Sequence, residues 1–353
     1  MSIRIAINGF GRIGRSVLRA ICDRGSPDEE IDLAAIADIS TDADHLAYLI
    51  KYDSIHGRFR HDVSVRKSNL LKNAADTLVI GSHTIRCLPA AGDPSLLPWK
   101  DLGVDLVVES SGLLTNSAKA YGHIQAGAKK VIITAPGEGE VKTIVMGANE
   151  NEYDPSNHNI ISSGSCTMNA LGMLVHVLIK EGIGIETGLL TAINSYTASQ
   201  RLVDGISKKD RRSGRAAAMN IIPTPTSAAR TAWEVFPALK GKISGVSYRV
   251  PSPDVSTLEL IFRSVRDTSI KELDALIKKA SETYLNGYLG YTEDELVSTD
   301  FINDPRSAIY DSEATIRGNM GDEKRLFRII SWHDNEWGHA NRILDLIKYL
   351  QRH

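Results

Sequence analysis

An α/β domain followed by an α+β domain is the fold class this sequence predicts, and three observations carry it. At 353 residues the chain suits two domains, each with its own core. Its first third alternates short apolar strands with helical stretches, as βαβ units on a parallel sheet require. After residue 166 long β-rich stretches take over, which points to a second, mostly antiparallel sheet.

The elements follow in order. Ile3–Asn8 reads as a strand, Arg12–Asp23 as a helix and Ile31–Asp38 as a second strand. Leu106–Glu109 and 131–134 are strand-like, with a helical stretch over 117–126 between them. A helix over 170–180 follows Cys166; strands are then expected over 188–196, 242–249 and 256–265. A helix over 270–284 would cover one face of their sheet, and a last helix over 337–349 closes the chain. The expected domains are 1–165 for dinucleotide binding, 166–334 for catalysis, and a C-terminal segment 335–353 that returns to the first. That division puts Cys166 at a domain boundary, where ligand pockets concentrate.

Composition narrows the function classes. Apolar content of 42% and charged content of 24% are those of a soluble globular protein. A net charge of -2 gives no field to draw nucleic acid or an anionic membrane, so neither is an expected partner. No apolar run approaches the ~18 residues of a membrane span, and the first residues lack the apolar centre of a secretory leader. Three widely spaced cysteines, Cys22, Cys87 and Cys166, suit neither a disulfide framework nor a zinc site, so a reducing cytoplasmic location and no metal are expected.

Two motifs carry chemistry. Gly9-Phe10-Gly11-Arg12-Ile13-Gly14 matches G-x-G-x-x-G, follows the first strand and opens the first helix. Gly9 permits a tight turn, Gly11 lets a pyrophosphate approach the backbone, and Gly14 lets helix and strand pack closely. Asp38, 24 residues past Gly14 at the end of the second strand, is placed to hydrogen-bond a ribose. An acid there repels a 2′-phosphate, so the first domain reads as Rossmann-type and NAD is favoured over NADP. The second motif is Ser162-Ser163-Gly164-Ser165-Cys166-Thr167-Met168-Asn169. A thiol at a helix N-terminus meets unpaired N–H groups and the positive end of the macrodipole, both of which favour the thiolate. Local sequence alone fits a buried cysteine packing a strand-to-helix turn at least as well.

With these pieces placed, the chain resembles the phosphorylating glyceraldehyde-3-phosphate dehydrogenase family over nearly its whole length. The matching stretches are INGFGRIGR at 7–15, KYDSIHGRF at 51–59, VVESSGLLT at 107–115 and AGAKKVIITAP at 126–136. SCT at 165–167, RVPSPDVS at 249–256, LGYTEDELVSTDF at 289–301 and SWHDNEWG at 331–338 continue the series. The erythrose-4-phosphate dehydrogenases share the ends, but SYTASQRLVDGISKKDRR at 195–212 is similar to the glyceraldehyde enzyme. The resemblance implies a homotetramer in which the Cys166 thiolate attacks the aldehyde and NAD takes the hydride. Inorganic phosphate then cleaves the resulting thioester. It assigns Thr197 and Arg249 to the phosphate of the triose substrate, and Ser165, Thr167, Thr226 and Ser227 to the attacking phosphate. Ser111, Thr134 and Asn335 join the glycine motif and Asp38 in the cofactor set, Asn335 orienting the nicotinamide carboxamide.

One departure matters most. The family carries its catalytic histidine in an H-x-Y-T motif, whereas this chain reads Asn194-Ser195-Tyr196-Thr197. Asparagine can donate to an oxyanion but cannot take a proton near neutral pH, so low activity that climbs with pH is expected. The change fits either a deliberately introduced His-to-Asn replacement or a natural relative of altered activity. His176 reads as a packed core residue, while His333 and His339 flank Asn335 and make His339 a candidate substitute base. Smaller departures are Ala37, Gly92, Ala170 and Ser227. A binding role stays open beside the enzymatic one, its feature being the basic cluster over 208–215.

Overall fold

Strand–helix alternation over the first third of the chain builds a sheet whose carboxyl ends hold the glycine motif. The computed structural model describes residues 2–24, 31–39, 42–68, 75–81, 83–90, 92–207, 210–226, 228–317 and 323–353. They form two units: Met1–Ile144 with Asn151–Gly164 and Ala340–His353, and Val145–Glu150 with Ser165–His339.

The first unit contains β1 (Ile3–Asn8), α1 (Arg12–Asp23), β2 (Ile31–Asp38), α2 (Ala43–Lys51) and the small pair β3 (Tyr52–Asp53) and β4 (Gly57–Arg58). β5 (Val63–Arg66), β6 (Thr77–Ile80), β7 (His83–Pro89) and β8 (Leu106–Glu109) come next. Then follow α3 (Ser117–Gln125), β9 (Lys130–Ile133), β10 (Lys142–Thr143) and β11 (Ile160–Ser162). Among the described residues these make a nine-stranded sheet in the order β10-β11-β9-β8-β1-β2-β7-β6-β5. β10 through β7 pair in parallel; β6 and β5 add antiparallel edges that the sequence pattern did not reveal. The central strands bury a continuous apolar run, as a parallel sheet covered on both faces requires: Ile5, Ala6, Ile7, Leu106, Val107 and Val108 are all 0% exposed. β1 lies between β8 and β2; the chain runs from β1 to β2 on one side and crosses from β7 to β8 on the other, which opens a crevice at the strand ends.

The second unit contains α4 (Cys166–Lys180), β12 (Thr187–Ser195), β13 (Ile222–Thr224), α5 (Ala228–Val235), β14 (Ile243–Val250) and β15 (Ser256–Arg263). α6 (Ile270–Glu282), β16 (Leu289–Thr292), β17 (Ala308–Arg317) and β18 (Leu326–His333) complete its sheet, ordered β13-β14-β12-β15-β18-β17-β16. It is mostly antiparallel, with parallel pairs β12–β14 and β16–β17. β15 and β18 alternate buried and half-buried residues along their length, which leaves one sheet face packed and one open. The packed face lies under α4, whose Leu171, Met173, Leu174, Val175 and Leu178 are fully buried. Each such side chain stabilises the unit by about 1.5–3 kcal/mol. α4 begins at Cys166 rather than at residue 170, because Ser165 caps it: its hydroxyl oxygen accepts from Met168 N at 3.1 Å.

α7 (Trp337–Arg352) starts in the second unit and joins the first from Ala340 onward. Asp334 caps it, with Oδ1 accepting from Glu336 N at 2.9 Å and Trp337 N at 2.7 Å. No described helix is long and apolar enough to cross a membrane.

Candidate active site

In the first unit a cavity of about 1020 Å³ opens at the carboxyl ends of β1 and β2. Of the predicted residues, Gly9, Phe10, Gly11, Asp38 and Ser111 line it. Gly9 takes φ +93°, and a Cβ there would lie 2.4 Å from Ser111 N, so only glycine fits. A Cβ on Gly14 would lie 2.3 Å from Gly9 O, which fixes that glycine as the packing one. A Cβ on Gly11 would meet nothing within 4 Å, so the space over the helix start stays open for a ligand. Gly11 has no side chain to cap α1, whose first N–H groups and dipole therefore face that space. Asp38 Oδ2 accepts from Phe10 N at 2.6 Å, holding the acid beside the glycine turn. This volume, open helix start and carboxylate fit an adenine dinucleotide with an unphosphorylated ribose.

Of the predicted cofactor set, Ile13, Gly14, Thr134, Asn335 and the arginine of the motif do not line this cavity. Ile13 and Gly14 lie within α1, and Thr134 is half-buried with its N–H given to Glu109 O at 3.0 Å. Arg12 turns its guanidinium to Asp53, a bidentate pair with one arm at 3.2 Å. Burial opposes ionisation of Asp53, but Arg12 and the N–H groups of His56 and Ile55 hold its carboxyl well below the usual range. Arg12 therefore contributes through its backbone and through this clamp. Gly92 also lines the cavity, with open space at its Cβ position.

In the second unit Cys166 is the first residue of α4 and partly buried, with Thr167 Oγ1 4.0 Å from its Sγ. Burial pushes the thiol up, and the Arg249 charge and the Thr167 hydroxyl oppose that rise without cancelling it. The helix N-terminus was expected to favour the thiolate; desolvation outweighs it. Arg249 itself is pushed down by burial, with Cys166 acting in the opposite sense.

Sheet register brings the rest together. Asn194 on β12 and Arg249 on β14 are direct partners of a parallel pair, so both side chains leave the same face. Asn194 is 6% exposed; its Nδ2 donates to Ser247 Oγ at 2.7 Å, and its Oδ1 meets no hydrogen-bond partner among the described residues. Arg249 donates to Ser195 O at 2.8 Å and lines a cavity of about 320 Å³ with Ser199, Gln200, Arg201 and Thr224. Asn335 Oδ1 accepts from the Ser195 and Ser256 hydroxyls, each at 2.9 Å, which leaves its amide N–H₂ as the donor end. Thr197 is exposed, its hydroxyl 2.9 Å from that of Ser199. Thr226 Oγ1 accepts from Ala228 N at 3.1 Å at the start of α5. Ser227, and Lys208 and Lys209 of the basic cluster, lie outside the described residues.

The histidines separate. His176 packs its ring 5.9 Å from that of Tyr284, ten residues along α4 from Cys166, or about 15 Å of helix. It is a packing residue. His333 is 1% exposed, neither ring nitrogen finds a partner among the described residues, and burial, then His339, push it down to about 4. It cannot serve as a base with neutral-range affinity. His339 is buried in the first turn of α7.

Sequence reasoning missed the hydroxyls of Ser195, Ser247 and Ser256. A period-two signal was present for one of them, since Ser247 lies two residues before Arg249 on the same strand face.

The chain matches the family model described as glyceraldehyde 3-phosphate dehydrogenase, NAD binding domain, over residues 3–117. It matches the corresponding C-terminal domain model over residues 165–335. The glycosomal glyceraldehyde-3-phosphate dehydrogenase of Crithidia fasciculata is 54% identical over 348 residues, covering 99% of this chain and 96% of its own. That of Treponema pallidum is 50% identical, covering 99% of both. The cytosolic enzyme of Ginkgo biloba is 45% identical, covering 99% of this chain and 97% of its own.

Three outcomes follow from the geometry and burial of these residues. Gly9→Ala should lower the melting temperature, since a strained φ costs about 1–3 kcal/mol before any clash is counted. Gly11→Ala should melt like the unaltered chain yet bind a dinucleotide at least about tenfold more weakly by calorimetry. His333 has its folded pKa depressed, so its contribution to stability is complete above about 6.5 and is lost as pH falls toward 4. His333→Phe should remove on the order of 3 kcal/mol of acid sensitivity, read from urea unfolding at pH 7 and pH 4.

Proposed function

The chain belongs to the glyceraldehyde-3-phosphate dehydrogenase family, and on that premise we infer how its own residues run the reaction. It is an NAD-dependent, phosphorylating dehydrogenase that converts glyceraldehyde 3-phosphate, with inorganic phosphate, to 1,3-bisphosphoglycerate. The observation that carries the residue assignment is Cys166 at the capped start of α4, acted on by Arg249.

Cys166 Sγ loses its proton and bonds to the aldehyde carbon, whose oxygen becomes the hydroxyl of a thiohemiacetal. Thr197 and Arg249 hold the substrate phosphate, for which a guanidinium and a hydroxyl are suited donors. When bound, NAD supplies the acceptor for the hydride that leaves the carbon. Asn335 would offer its amide donors to the carboxamide, and Asp38 with the glycine turn would hold the adenosine end. The hydroxyl proton passes to water as the thioester forms. Ser165, Thr167, Thr226 and Ser227 then hold inorganic phosphate, whose oxygen attacks the thioester carbon and expels Cys166 as thiolate.

Asn194 limits this sequence. A hydroxyl can bond either end of an amide, so turning the Asn194 amide over keeps the Ser247 bond and aims an N–H at the developing oxyanion. It takes no proton from Cys166 or from the thiohemiacetal. Binding should therefore persist while turnover is slow at neutral pH.

The exposed apolar side chains Leu202, Val203, Ile206, Met219 and Ile221 cluster in one stretch of chain and suit burial against further copies in a homotetramer. Cys22, Cys87 and Cys166 form no disulfide among the described residues, which suits a reducing compartment such as the cytoplasm. Asn194→His should raise phosphate-dependent NADH production at pH 7 by about 10²–10⁴-fold. No gain would remove Asn194 as the cause of slow turnover.

A further inference from the structure

Behind the cofactor crevice, a hydrogen-bonded chain inside the first unit takes no part in the steps above. Glu109, the last residue of β8, is 2% exposed. Its Oε2 accepts from Asn8 Nδ2 at 2.6 Å and stands 3.0 Å from His123 Nε2. Its Oε1 accepts from Ser111 N at 2.9 Å and from the Ser111 hydroxyl. His123, on α3 and 0% exposed, receives the indole N–H of Trp99 on Nδ1 at 3.0 Å.

The donor inventory fixes every proton in this chain. An indole N–H only donates, so His123 Nδ1 must be an acceptor and the ring proton lies on Nε2, aimed at Glu109. Four donors thus meet one carboxylate, which is what makes its burial tolerable. Three of them belong to crevice-wall residues, one from Asn8 and two from Ser111. Asn8 and Glu109 are register partners across β1 and β8. Ser110 closes the same seam, its N donating to Asn8 O at 2.8 Å and its hydroxyl to Gly9 O at 2.6 Å.

We propose that Glu109 is a positioning residue of the cofactor site: oriented by His123 and Trp99, it holds Asn8 and Ser111 at the spacing an NAD dinucleotide needs. The proposal rests on the dehydrogenase reading. Its test is calorimetric titration of the full chain with NAD and with ADP-ribose. Glu109→Gln keeps an oxygen for Ser111 but turns an amide N–H₂ against two donors, Asn8 Nδ2 and His123 Nε2–H. Both ligands should bind about 10–100-fold more weakly, the loss of charge-assisted bonds. Iodoacetamide alkylation of Cys166 without NAD should be unchanged.

Rescue separates positioning from general damage. Adding Trp99→Phe to Glu109→Gln removes the indole donor, so His123 can move its proton to Nδ1 and accept the new amide at Nε2. The double variant should bind NAD at least about fivefold more tightly than the single, and ¹⁵N resonances should report the exchanged tautomer. A folded Glu109→Gln protein within about twofold of the unaltered Kd, or a double variant no tighter than the single, overturns the proposal. If Glu109→Gln does not fold, His123→Asn, which withdraws one donor, should weaken NAD by about tenfold, and an unchanged Kd overturns it equally. Failure of the unaltered chain to bind NAD would instead overturn the dehydrogenase reading.

Discussion

A thiolate in a partly buried site needs a counter-charge, and in this chain the guanidinium that acts on Cys166 is Arg249. Much of the second unit serves that requirement. β12 and β14 pair in parallel within an otherwise mostly antiparallel sheet, which sets Asn194 beside Arg249. Arg249 is steadied by Ser195 O and turned into the cavity that would take a substrate phosphate. The Ser165 cap starts α4 at the nucleophile itself. The Arg249 guanidinium and the Thr167 hydroxyl and N–H favour ionisation, yet burial prevails and the thiol is pushed up. A dipole at a helix end is worth only about 0.3–1 kcal/mol, and desolvation of the thiol works against it.

The same arithmetic explains why an asparagine matters so much. An imidazole in that position would supply a mobile positive charge and a proton acceptor together. The amide of Asn194 supplies donor geometry only, and its bond to Ser247 already occupies part of that capacity. Arg249 is also the residue proposed to bind the substrate phosphate, so one cation serves both the thiolate and the anion. On the proposed assignments, recognition keeps its groups while proton transfer lacks one.

Features that depend on one stretch of backbone were legible in the sequence. Gly9, Gly11, Gly14 and Asp38 belong to one βαβ unit, and the space around each glycine has the geometry its place in the motif demands. Strands β1 and β2 and helix α1 begin and end where periodicity puts them. Features made by residues distant in sequence were not legible. Arg12 leaves the cofactor for Asp53, 41 positions away. The bond from Asn8 to Glu109 spans 101 positions, and that from Ser195 to Asn335 spans 140. The start of α4 was placed four residues late because Cys166, Thr167 and Asn169 are weak helix formers, and a side-chain cap overrides that weakness.

The central claim is that Cys166 sits in an intact binding site without a base to ionise it. Its most direct test is the rate of Cys166 alkylation by iodoacetamide as a function of pH, followed by peptide mass analysis. The account predicts a rate that keeps climbing past the ~8.5 of an ordinary thiol, in step with a raised pKa. A rate already level below neutral pH would mean a preformed thiolate, and would contradict it.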